Sequence, residues 1–241
     1  MSATNSEIYS KHSSSQFNEE LEGLRTDMLT MGGTVERQVN DSINALMNRD
    51  IDLAEATREL DRDVNRAERD INAKCTMIIA RRQPAAVDLR LLMSINRAVV
   101  DLERMGDEAT RVAKYVIDLY SSDSTVRGLQ EVKHIGTLVA EMLKDALTAF
   151  ARRDMELAYS VVKRDQQVDK EYTTAMRSLI TYMMEDTRAI TSVLNMIWVL
   201  RSLERIGDHA CNLAEHLVYQ VSGTDVAHAS LEDIEDIIDE E

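Results

Sequence analysis

The stretch SLERIGD, residues 202–208, sets a glutamate, an arginine, a glycine and an aspartate inside an apolar helical pattern. The same pattern occurs earlier as DLERMGD at 101–107, an offset of 101 residues. A mid-helix glycine costs about 1 kcal/mol against alanine. Like charges four residues apart cost roughly 0.2–0.5 kcal/mol. A chain that writes this combination twice has a reason for it.

Working outward, the repeat covers most of the sequence. MNRDIDLAEA (47–56) matches ARRDMELAYS (151–160), and LDRDVN (60–65) matches RDQQVD (164–169), both at an offset of 104. Gly32 falls on Gly136 and Asp41 on Asp145. The offset then drops to 101 because RRQPAAV (81–87) is three residues longer than EDTR (185–188), and an insertion between aligned blocks belongs in a connection.

The breaks between blocks predict three helices per unit. The first unit reads as Gln16 to about Met47, Asp52 to Arg81, and Pro84 to Tyr120, with the proline suited to a first helical turn. The second reads as Leu129 to Arg152, Asp154 to Met184, and Thr187 to about Val221, closed by Gly223. The fold class is therefore all-α: two similar antiparallel three-helix bundles, six long helices in all. Each helix of some 30 residues is about 45 Å long. Residues 1–15 are expected to form a flexible N-terminus, 16–120 the first unit, 121–128 (SSDSTVRG) a linker, 129–223 the second unit and 224–241 an acidic tail. In the third helix, Leu92, Ile95, Val99, Leu102, Met105, Ala109, Val112, Val116 and Leu119 keep the 3–4 spacing of a buried face.

Composition supports this. Aromatics make up 4% of 241 residues, with one proline and eight glycines, too few aromatic and turn residues for sheets. The net charge of −15 argues against nucleic acid as a partner, since phosphate binding needs clustered Lys and Arg. No base follows Arg205, and LEDIEDIIDEE (231–241) reads as a solvated tail or a fraying amphipathic helix. MSATNSEIYSKHSSS has no apolar core of signal-peptide length, and VLNMIWVL (193–200) is too short to span a bilayer. Cys75 and Cys211 stand singly and read as buried small hydrophobes in a reducing compartment. These features predict a cytosolic chain.

On a helix, residues i and i+4 share a face. Glu103 and Asp107 therefore stand side by side, as do Glu204 and Asp208, while the second helices carry Asp61 and Asn65 in one unit and Asp165 and Asp169 in the other. Neighbouring antiparallel helices can set two such pairs across one groove, giving four oxygen side chains per unit. Carboxylates without imidazole or thiolate suit hard or borderline cations such as Mg, Mn, Ca or Fe. On this reading Gly106 and Gly207 leave room for a neighbouring helix or for an ion with its waters. The competing reading is a solvated ion-pair network, because Arg104 and Arg205 follow the glutamates directly.

Other motifs are less complete. Glu131-x-x-His134 is half of a di-iron motif whose second half is missing. His209 and His216 read as surface or partly buried histidines on the last helix. No phosphate-cradling loop and no Ser/His/Asp arrangement is present, so no residue carries positive evidence of catalysis. Arg81, Arg82 and Arg90, with Arg97 beyond, gather at one bundle end and read either as helix-end charges or as a docking surface.

KHSSSQFNEELEGLRTDMLTMGG (11–33), IIARRQPAAVDLRLLM (78–93), LITYMMEDTRAI (179–190) and both LER-x-GD motifs resemble the PhoU family of bacterial phosphate-signalling proteins, over about residues 11–222. The resemblance implies two three-helix bundles with metal, Mg, Mn or Fe, on Asp61/Asn65, Glu103/Asp107, Asp165/Asp169 and Glu204/Asp208. It implies a non-enzymatic regulator that couples the phosphate ABC transporter, through its ATPase subunit, to the sensor histidine kinase PhoR, and holds the starvation response off when phosphate is plentiful. A homodimer recruited through its partners to the inner face of the membrane, without inserting into it, is also expected. Asp88 and Arg90 are the candidate partner-binding residues. Two rivals remain: a carboxylate-bridged metal oxidase and a metal-free helical adaptor.

Overall fold

The computed structural model describes the backbone of residues 3–121, 126–227 and 229–239, with side chains from Ser15 onward. Seven α-helices account for nearly all of it: α1 (Ala3–Asn48), α2 (Ile51–Arg82), α3 (Ala86–Tyr120), α4 (Leu129–Arg152), α5 (Met155–Glu185), α6 (Ile190–Ser222) and α7 (Leu231–Asp239). A single 3₁₀ turn, Thr187–Ala189, leads into α6, and among the described residues there is no strand.

Repeated sequence produces repeated local structure. Asp50 caps α2 by accepting from the Leu53 amide at 2.9 Å, and Asp154 caps α5 by accepting from Leu157 at 2.9 Å. The residue before each cap, Arg49 or Arg153, turns the chain with a positive φ of 57° or 56°. An arginine there is strained, and both units contain the same strain. The two αα turns at 48–50 and 152–154 are therefore equivalent.

The main differences from the sequence reading are two helix starts and one added helix. Helix α1 begins at Ala3 instead of Gln16, because nothing in SATNSEIYSKHSSS breaks a helix. Helix α3 begins at Ala86, leaving Pro84 in the connection, where Gln83 and Ala86 take positive φ. A seventh helix adds to the expected six: α7 starts at a reciprocal cap in which Asp233 accepts from the Ser230 amide (3.0 Å) and the Ser230 hydroxyl accepts from the Asp233 amide (3.2 Å). It packs on α5, buries Ile234, and meets Tyr159 through Glu235 at 3.1 Å. A hydrophobic stripe of Leu231, Ile234, Ile237 and Ile238 gives the acidic end one face worth burying.

All nine apolar positions read in the third helix are buried, at 1% exposure or less. Helix α3 is also covered on its other side, by α6. The two units meet there and along α1 and α4 in a reciprocal pattern. A Cβ on Gly32 would run into Leu147, and a Cβ on Gly136 would meet Ile43 at 3.2 Å. Since Leu147 is the repeat counterpart of Ile43, each unit presents the same glycine to the same aliphatic residue of the other. That exchange is the signature of an approximate two-fold relation between halves.

Candidate functional site

Because α3 and α6 face each other at the centre, the Glu-x-x-x-Asp pairs are turned away from that interface. They look toward the second helix of their own unit. In the first unit, the Asn65 amide donates to Asp61 Oδ2 at 2.8 Å, so these two form one surface. Burial, then the Asp107 charge, raise the Asp61 carboxyl above its usual range, with Asn65 and Thr110 opposing. Burial likewise raises Glu103, helped by Asp107, Glu68 and Asp61. The second-helix and third-helix carboxylates therefore lie in one another's field. Asp61 Oδ1 is buried and has no hydrogen-bond partner.

The second unit is more strongly charged. Burial and the carboxylates of Asp208, Asp169, Glu204 and Glu215 push Asp165 up to about 7. Asp208 is raised by burial and by Asp169, and Glu204 by burial and Asp208. Arg201 donates to Glu204 Oε1 at 2.6 Å, while Oε2 of this 9%-exposed residue has no partner. Repulsion among clustered carboxylates, of which Glu204 is the buried one, is what a cation would relieve. The donor chemistry fits a hard or borderline cation. In the arrangement seen, no three His, Cys, Asp or Glu side chains among the described residues are gathered closely enough to hold one.

The ion-pair alternative is met only in part. Glu204 does pair, but with Arg201 one turn earlier; Arg205 instead reaches across to Glu108 of α3 at 2.8 Å. The two glycines also separate. A Cβ on Gly106 would stand 3.1 Å from Gln38 Oε1 and 3.3 Å from Val64 Cγ1, so close packing on α1 and α2 explains it. At Gly207 the nearest atoms are Val139 at 3.5 Å and Val168 at 3.6 Å, ordinary contact, with Asp165 Oδ1 at 3.8 Å. Helix packing does not require that glycine.

Four further groups were not singled out from sequence. Glu68 and Glu215 join the two grooves electrostatically. Asp101, the first letter of DLERMGD, is 5% exposed and receives His209 Nδ1 at 2.9 Å, His216 Nε2 at 2.8 Å and Asn212 at 3.2 Å, all from α6. Burial opposes its charge, but these bonds win and hold its carboxyl well below the usual range. Glu108, 2% exposed, is held by Arg111 at 2.6 Å and Arg205 at 2.8 Å. Acids on the central face of α3 are thus the glue between units. The i,i+7 spacing of His209 and His216 was the only legible hint.

The arginines near the α2–α3 connection are largely engaged within the chain. Arg82 forks onto Glu20 at 2.7 and 3.0 Å. Arg90, half-buried two residues beyond Asp88, lies against Gly223 at the C-terminal end of α6, and Arg97 pairs with Asp225 at 3.4 Å. This is the favourable placement of a cation at a helix C-terminus. Glu131 and His134 go separate ways, to Tyr182 at 2.9 Å and Glu171 at 3.6 Å. Both cysteines are buried and free. Among the described residues no helix is long and apolar enough to cross a membrane.

Comparison with known proteins agrees with this geometry. The PhoU domain model matches residues 28–116 and again 132–217, once per bundle. The phosphate-specific transport system accessory protein PhoU homolog of Pseudomonas aeruginosa is 56% identical over 227 residues, 94% of either chain. The Escherichia coli (strain K12) protein named phosphate-specific transport system accessory protein PhoU is 42% identical over 95% of this chain and 94% of its own. The crystal structure of PhoU from Pseudomonas aeruginosa superposes with a TM-score of 0.84 at 57% identity, covering 86% of this chain and all of that one. That of the phosphate transport system regulatory protein PhoU from Streptococcus pneumoniae gives 0.81 at 29% identity, covering 88% and 99%. These relatives are named as accessory and regulatory proteins, not as enzymes, and by both measures the chain belongs to the PhoU family.

Proposed function

We propose that this chain is a non-enzymatic regulator of phosphate uptake and signalling. It couples the ATPase subunit of a phosphate ABC transporter to the sensor histidine kinase PhoR and represses the starvation response when phosphate is plentiful. The observation that carries the reading is 56% and 42% identity, over 94% and 95% of the chain and so across both bundles, to proteins named as accessory to the phosphate-specific transport system. The chain acts in the cytoplasm as a homodimer, held at the inner membrane face by its partners. The grooves of Asp61, Asn65, Glu103 and Asp107, and of Asp165, Asp169, Glu204 and Asp208, hold Mg, Mn or Fe. Their clustered carboxylates, each raised by its surroundings and by its acidic neighbours, support this. Bound cations would neutralise the grooves and set the shape of the surface offered to partners.

The test is co-purification of the tagged chain with the transporter ATPase and the kinase, with and without chelator, beside metal analysis of gently purified protein. Retention of both partners, weakened by chelation, is the expected result. A chain that binds neither, and whose deletion leaves starvation genes repressed at high phosphate, overturns the proposal.

A further inference from the structure

Helix α7 has nine residues, and isolated helices shorter than about 12–15 residues are marginal in water. Its helicity therefore depends on α5, the helix it packs on. The α5 face beneath it is not a copy of its counterpart in the first unit. Tyr159 and Val162, i and i+3 on one face, stand where α2 has the exposed residues Glu55 and Arg58. Lys163 stands where α2 has Glu59. Tyr159 and Val162, like Ile237 and Ile238 of α7, are partly buried against the core, and the Tyr159 hydroxyl meets Glu235 of α7 at 3.1 Å. Lys163 lies over the Tyr159 ring at 5.9 Å and gives the face a cation suited to an acidic helix.

We propose that α7 is a detachable strap over a helix-docking face of α5, and that this face takes an acidic amphipathic helix of a partner when the strap lifts. The helix in place defines the chemistry of its replacement: Leu231, Ile234, Ile237 and Ile238 form an apolar stripe, and Glu232, Asp233, Glu235 and Asp236 fill the positions between. The apolar surface that this stripe covers belongs to the second unit alone, because Glu55 and Arg58 replace it in the first. The hold is modest. Only Ile234 of α7 is buried, while Leu231, Ile237 and Ile238 are half-buried. Desolvation raises the Tyr159 hydroxyl, and Glu235, Glu156 and Glu232 raise it further, so carboxylates of both helices gather around one phenol. Like charges across a contact favour its release. The connection 223–230 keeps a lifted strap close by, so the strap competes with any partner helix at high effective concentration.

The experiment uses the full chain and, as probe, a fluorescent peptide of residues 224–241. Ile234→Asp alters only the strap, and the freed face should bind the peptide roughly tenfold more tightly than wild type does, because wild type must first lift its tethered copy. Adding Tyr159→Glu and Val162→Arg, which places the first unit's residues on α5, should abolish binding and leave the bundles folded. Hydrogen exchange of the unaltered chain gives a check independent of any variant. Amides of α7 should exchange roughly tenfold faster than those of α6, yet more slowly than in the free peptide. Protection equal to that of α6 makes α7 a fixed part of the bundle, and exchange as fast as in the peptide means that it does not dock; either result overturns the proposal. So does a peptide that binds wild type and Ile234→Asp equally, binds neither, or ignores the changes at Tyr159 and Val162. Protection that rises with protein concentration assigns the covering helix to a second copy and overturns a strap within one chain.

Discussion

Arg205 of α6 lies 2.8 Å from Glu108 of α3, across the seam between the two bundles, and leaves its sequence neighbour Glu204 to Arg201. The motif's arginine thus serves the interface while its carboxylates serve the groove. Glu108 keeps Arg111 when Arg205 is removed, so Arg205→Ala should cost about 1–2 kcal/mol. Urea unfolding should show a lower midpoint; an unchanged midpoint would mean that the pair adds nothing to the seam.

Stability of the metal-free chain should depend on pH through Asp165. Its folded value of about 7 lies above the ordinary 3.8, so the folded state holds the proton more tightly. The contribution is fully present below about pH 4 and is lost as pH rises toward 7. Its ceiling is about 4 kcal/mol, lessened by sharing of protons with neighbouring acids. Asp101 acts in the opposite sense: its depressed carboxyl gives stability above the usual aspartate range, lost in stronger acid. The difference in unfolding free energy between wild type and Asp165→Asn should therefore shift in the mutant's favour from pH 4 to pH 7. A pH-independent difference removes Asp165 from this role.

The grooves should differ in affinity. Asp169 replaces Asn65, and Glu215 replaces Lys114, so the second groove is the more anionic. Glu204→Ala with Asp208→Ala should lower divalent-cation occupancy more than Glu103→Ala with Asp107→Ala does. Equal affinities for both units in calorimetric titration would remove the asymmetry.

Alanine at the two glycines should separate packing from room for an ion. Gly207→Ala meets only ordinary contacts, so stability should rise by up to about 1 kcal/mol, while cation affinity in the second unit falls. Gly106→Ala must push Gln38 and Val64 aside and should gain less or lose. Thermal melts with and without metal measure both. Unchanged cation affinity in Gly207→Ala would show that this glycine gives the ion no room.

The repeat, the breaks between its helices and the buried stripe from Leu92 to Leu119 were all legible in the sequence, because periodicity is local and acts through residues a few positions apart. The carboxylate pairs were legible for the same reason, since i and i+4 share a face whatever surrounds the helix. The other half of each groove could be inferred only from the antiparallel neighbour, and the structure puts Asp61 and Asp165 in the fields of Asp107 and Asp208. Only tertiary structure decided where the second face of α3 and α6 goes. Asp101 and Glu108 carry no mark in the sequence that sets them apart, yet both are buried, because their partners His209, His216 and Arg205 are supplied by a helix about a hundred residues away. A buried charge depends on what compensates it in space, and sequence spacing does not encode that. The same limit left 231–241 open between a solvated tail and an amphipathic helix, and α5 decides it by offering the helix's four apolar residues a surface.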